Sequence, residues 1–123
     1  DENMGDLFVD GEEIDFAVDI RFRPRLENGA VFYFTYWNEK MNCGTLKMFK
    51  NGNRTRVSDV LYDYTVTRNG DILYLHNYDI SSYAGTLSLY NDGNPKKIDD
   101  DVFALIAVNE YGIRRRFHYV ITR

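Results

Sequence analysis

Cysteine is almost missing from this 123-residue sequence: the single Cys43 cannot close an internal disulfide, which excludes small disulfide-stapled domains and zinc sites built from several cysteines. Proline and histidine are equally scarce, with 2 of each. Positive charge is in deficit as well. Lys and Arg number 15 against 19 Asp and Glu, giving a net charge of -4 and an isoelectric point near 5.1, so nucleic acid is a poor partner for a surface short of phosphate-neutralising side chains. No apolar run reaches the roughly 18 to 20 residues of a membrane-spanning helix, and no basic segment followed by a signal-type apolar stretch opens the chain. The sequence starts at Asp1 without Met, which suggests a processed chain or a segment of something longer.

What the sequence does have is aromatic and β-branched residues. With 8 Phe, 10 Tyr and 1 Trp and a hydrophobic share of 44%, it has enough apolar surface for one packed domain covering 1–123. Ile14, Phe16, Val18, Ile20 and Phe22 alternate with Asp15, Ala17, Asp19 and Arg21, the period of two of a half-buried strand. Ala30 to Trp37 reads as a central strand with Phe32, Phe34 and Tyr36 on one face and Tyr33, Thr35 and Trp37 on the other. Further strands are expected at 45–50, 62–67, 72–77, 86–90, 102–108 and 113–121, with hairpin turns at Asn51-Gly52 and Asn69-Gly70. Asp99 to Asp101 suggests one helical or 3₁₀ turn, and no internal repeat, low-complexity tract or linker stands out. The sum is an all-β chain of about eight or nine strands, a sandwich or barrel.

Chemistry-bearing motifs are thin. His76 and His118 lie inside expected strands and Cys43 has no supporting base, so no nucleophile–base constellation assembles and an enzyme is not expected. Asp99, Asp100 and Asp101 lack the spacing and central Gly of a calcium loop, and the dispersed glycines do not make a phosphate cradle; neither metal nor cofactor is called for. Asn53-Arg54-Thr55 matches the N-glycosylation acceptor pattern. Arg114, Arg116 and His118 fall on one face of the last strand, a basic stripe suited either to an acidic partner or to carboxylates on a neighbouring strand. Exposed Tyr33 and Trp37 would supply the rings typical of binding hot spots.

Gly11-Glu12-Glu13-Ile14-Asp15-Phe16-Ala17-Val18-Asp19-Ile20-Arg21-Phe22-Arg23-Pro24 resembles strand B of an immunoglobulin-like domain. Asp99 to Gly112 resembles the acidic corner, strand F and its turn, with 113–122 as strand G. The resemblance puts Val18 and Leu105 at the two cysteine positions, so an apolar pair would replace the intersheet disulfide, and Phe103 at the corner tyrosine. Ala30 to Trp37 would be strand C, with Phe32 or Phe34 in place of the core tryptophan, and 45–51 strand C′. A second similarity, of Ile20 to Pro24 and Asn28 to Tyr33 to the start of a laminin G-like sandwich, stops before the second half of the chain.

The immunoglobulin-like resemblance implies a two-sheet antiparallel sandwich acting as a noncatalytic protein-recognition or adhesion module, with binding residues Tyr33, Trp37, Arg114, Arg116 and His118. It equally accommodates a structural spacer in a cytoskeletal or muscle-type array. The missing disulfide favours a reducing intracellular compartment over a cell surface or secreted location, which such a module also allows.

Overall fold

The computed structural model describes residues 3–108 and 118–122, with side chains described over 3–105. Among the described residues there are strands and no helix: β1 (Met4–Val9), β2 (Glu12–Asp19), β3 (Arg25–Glu27), β4 (Ala30–Asn38), β5 (Cys43–Lys50), β6 (Asn53–Val66), β7 (Ile72–Asp79), β8 (Ala84–Asn91), β9 (Asn94–Val102), β10 (Ala104–Val108) and β11 (His118–Thr122). The all-β expectation holds. Hydrogen-bonded neighbours follow the order β1-β2-β4-β5-β6-β7-β8-β9 in one antiparallel network with β3 on β4, while β10 and β11 pair in parallel. Asp99 to Asp101 do not form a helical turn but belong to β9. That strand is exposed at every position from Asn94 to Asp101, so it has no apolar alternation by which to announce itself.

The chain divides into two compact units, Asp1–Asp59 and Val60–Arg123. In the first, Phe32, Tyr33, Phe34 and Thr35 are consecutive buried residues of β4, packed with Val18 and Leu46. The expected division of this strand into one core face and one exposed face is therefore wrong: both faces are covered over these four residues, and beyond them Tyr36 and Asn38 are exposed. In the second unit Leu75, Tyr78, Leu87 and Val102 form a core against which Tyr62, Leu73 and Leu105 pack. Each fully buried large apolar side chain contributes about 2 kcal/mol relative to an exposed one.

The two units are built on one plan, and the absence of a repeat suggested by the sequence is overturned. Residues 41 positions apart adopt the same unusual backbone: Tyr36 and Asn77 have φ of 54 and 51, Asn42 and Tyr83 of 53 and 55, Val60 and Asp101 of 52 and 59. The tight turn recurs at the same spacing at Asp10-Gly11, Asn51-Gly52 and Asp92-Gly93, and stands once more at Asn28-Gly29 between β3 and β4, each pair with two left-handed residues, as a two-residue hairpin turn of this type requires. Ala17 at φ 57, two residues out of that spacing, is a further kink of this kind, and the residue after each, Val18, Leu61 and Val102, is buried. Register repeats too: Thr35 pairs with Thr45 and Asn38 with Cys43 across an irregularity, as His76 pairs with Thr86 and Asp79 with Ala84. Even the polar pins recur. Thr45 Oγ1 donates to Asp59 Oδ1 at 2.9 Å and Thr86 Oγ1 to Asp100 Oδ1 at 3.1 Å, and Arg56 and Lys97 each pair with that same aspartate three residues on.

The turn glycines are a clean place to measure one element of this plan. Gly52 has φ of 79 and an added Cβ would meet nothing within 4 Å, so Gly52→Ala changes only backbone preference. It should cost about 1 kcal/mol. Urea unfolding of Gly52→Ala beside Asn53→Ala checks this, and an equal, negligible loss in both would remove the turn from the account.

Candidate functional site

Two features of the first unit bring chemistry together. One is a carboxylate hub. β2 turns Asp15 inward, where it is almost fully buried, and the neighbouring strands supply its partners: the Tyr33 hydroxyl of β4 donates to Oδ2 at 2.9 Å and Lys47 Nζ of β5 to the same oxygen at 3.1 Å. The Phe16 backbone N–H donates to Oδ1 at 2.8 Å, and an Arg54 guanidinium nitrogen from β6 lies 3.2 Å from that atom. Burial pushes the Asp15 pKa up, but the Phe16 N–H and the Lys47 and Tyr33 hydrogen bonds outweigh it and hold the carboxyl below its ordinary value. Burial and the bond to Asp15 drive the Tyr33 phenol far above its own. With both oxygens engaged, Asp15 is a structural anion and not a proton acceptor for a substrate. Beside it Glu12, Glu13, Phe49, Asn53 and Arg54 line an open pocket of about 470 Å³.

The second feature is an aromatic platform found once in each unit. Trp37 lies over Gly44, with Phe22 4.4 Å and Phe34 5.2 Å from it between ring centroids. In the second unit Tyr78 lies over Gly85 and stacks on Tyr62 at 4.0 Å, while its hydroxyl donates to the Phe103 carbonyl oxygen at 2.9 Å. The platforms hold the connections between β4 and β5 and between β7 and β8. Residues 39–42 and 80–83 differ completely between the copies, and they expose Met41 (54%) in one and Ile80 and Tyr83 (63%) in the other.

Set against these features, the residues expected to bind a partner separate. Tyr33 is 1% exposed and serves the Asp15 hub from inside, which corrects its expected place on an exposed face. Trp37 is half-buried in the platform. Arg114 and Arg116 lie outside the described residues, and His118 opens β11 with its side chain outside them. Val18 and Leu105 each have partners in their own unit, Val18 opposite Thr35 and Leu105 against the Tyr78 cluster. Cys43 is buried at the start of β5, and burial raises its thiol pKa. His76 sits at the position of Thr35, bonded through Nε2 to the Ser88 hydroxyl at 2.8 Å, and burial lowers its pKa. Among the described residues no group of three His, Cys, Asp or Glu side chains is placed to hold a metal ion, and no helix is long and apolar enough to cross a membrane.

The hub was missed because its members are far apart in sequence and only strand register joins them. Alternation in β2 puts Asp15 on the wet face, whereas the structure buries it and exposes Phe16. No family model, curated protein or solved structure matches the chain.

Proposed function

We propose that the chain is a noncatalytic protein-recognition module, a piece of a β-repeat array that presents the connections after β4 and β7 to a partner. The observation that carries this reading is the contrast within the repeat. Turns, kinks, glycine-backed rings and Thr–Asp pins are held constant at a spacing of 41 residues, whereas 39–42 and 80–83 share no residue and expose large apolar side chains. A fixed frame with changing loops is how repeat proteins diversify contact.

The immunoglobulin-like sandwich is the competing frame for the same function. It divides its strands between two sheets through Greek-key connections, and strands that neighbour one another in chain order favour the repeat. The spacer reading predicts that no partner depends on the loops.

To test recognition, the immobilised chain is used to isolate a partner from proteins of the source organism, and affinity is then measured for Met41→Ser and, separately, Tyr83→Ser. Both side chains are exposed, so melting temperatures should stay put. Loss of at least fivefold in affinity in one variant is expected. A partner held equally by both, or no specific partner at all, leaves the spacer standing in its place.

A further inference from the structure

We infer that the outer edge of β1 receives one more antiparallel strand, built like β4 and β7 and supplied by a further copy of the repeat. β1 occupies the repeat position of β5 and β8, because the three run into left-handed two-residue turns spaced by 41 residues, at Asp10-Gly11, Asn51-Gly52 and Asp92-Gly93. β5 lies between β4 and β6, and β8 between β7 and β9, but β1 has β2 as its one neighbour among the described strands.

The side chains mark the vacancy. Phe8 stands 41 residues before Phe49, which stands 41 before Tyr90. Phe49 lies opposite Val31 of β4 and Tyr90 opposite Ile72 of β7. Tyr90 is 8% exposed and Phe8 58%. Leu7 is likewise in line with Met48 and Leu89, which face Phe32 and Leu73. The incoming strand therefore carries a β-branched residue opposite Phe8, a large apolar residue opposite Leu7 and a tyrosine next along, the Val31-Phe32-Tyr33 and Ile72-Leu73-Tyr74 pattern.

Edge chemistry points the same way. β9, at the other end of the strand order, carries Pro95, Lys96, Lys97 and three aspartates, the residues that discourage further pairing. β1 reads Met-Gly-Asp-Leu-Phe-Val, with neither proline nor lysine, and an unguarded edge is a template for strand addition. A second molecule of the chain does not supply the strand, since its own β4 and β7 are paired on both sides.

The test uses the whole chain in two arms. In one, a blocked peptide of residues 28–38 is added; in the other, residues 28–41 are fused directly before Asp1, which restores the spacing found between β4 and β5. Amide hydrogen exchange over Gly5–Val9 is read against scrambled peptides of the same composition. Native-sequence peptide or fusion should slow exchange at Leu7 and Phe8 at least tenfold, and Phe8→Ser should reverse most of that. Equal behaviour of native and scrambled sequences in both arms overturns the inference. So does protection appearing at β9 instead, or protection of β1 that rises with protein concentration alone, which would mean that β1 pairs with itself.

Discussion

Gly44→Ala should destabilise the first unit by about 3 kcal/mol, the upper end of what forcing an extra methyl into a packed site costs. The added Cβ would come 2.7 Å from Trp37 Cε3 and 3.3 Å from both Trp37 Cα and the Thr35 carbonyl oxygen. An isolated ring could tip away. This one is hemmed by Phe22 and Phe34, and two of the three contacts are with backbone in the adjacent strand, so relief requires β4 and β5 to part. Gly85→Ala meets Tyr78 Cδ2 at 2.9 Å and the His76 carbonyl oxygen at 3.1 Å, and should cost nearly as much in the second unit. Chemical unfolding, followed by Trp37 fluorescence for the first unit and by hydrogen exchange of β7 and β8 amides for the second, separates the two losses. If alanine at both sites leaves stability within about 0.5 kcal/mol of the parent, the rings do not rest on the glycines as described.

Asp15→Ala is expected to cost about 3 kcal/mol, because it strands a buried Tyr33 hydroxyl and removes the counter-charge of a largely buried Lys47. Tyr33→Phe in the same background should recover part of that loss by removing the orphaned donor, which a double-mutant cycle in urea would show. The pH dependence follows in sign from the depressed carboxyl. The folded state holds the Asp15 proton less tightly than the unfolded chain, whose ordinary value is 3.8, so the stabilisation is complete above that value and is lost as pH falls through the lower folded one. Asp19, held below its usual range by the Arg21 guanidinium, loses its share in the same direction. Asp15→Asn should therefore flatten the acid limb only in part. An acid limb identical in parent and Asp15→Asn would show that the hub carries no such linkage.

Strand identity was legible wherever a strand has one apolar face or a dense aromatic run. β4, β7 and β8 fall where an aromatic run or alternation placed them, but β2 ends at Asp19 and its expected faces do not hold: Asp15 and Asp19 are buried while Phe16 and Ile20 are exposed, the backbone being kinked at Ala17. The Asn51-Gly52 turn has two left-handed residues, whereas Asn69-Gly70 lies in a longer connection in which Gly70 alone is left-handed. β9 and the first part of β6 escaped because Asn53-Arg54-Thr55-Arg56 and Pro95-Lys96-Lys97 give no period to read. The repeat escaped for a related reason. Its constants are a left-handed Tyr36 matched by Asn77, a kinked Val60 matched by Asp101, and Trp37 matched by Tyr78, positions alike in conformation or contact and unlike in residue. Of the candidate site, Trp37 was named for its ring and proved to be a platform, and Tyr33 was placed outside when Asp15, 18 residues earlier, holds it inside.

The hairpin turns have a consequence for the protein's chemical ageing. Asn–Gly is the dipeptide that most readily closes to a succinimide, and left-handed Asn–Gly pairs stand at Asn28-Gly29 and Asn51-Gly52; of the three turns spaced by 41 residues, the middle one, Asn51-Gly52, begins with asparagine, and Asp10 and Asp92 begin the others. Hydrolysis to aspartate would convert the middle turn into the sequence its two sisters already use, a change the frame accepts. Hydrolysis to isoaspartate would instead lengthen the main chain by one carbon within the two-residue turn between β5 and β6.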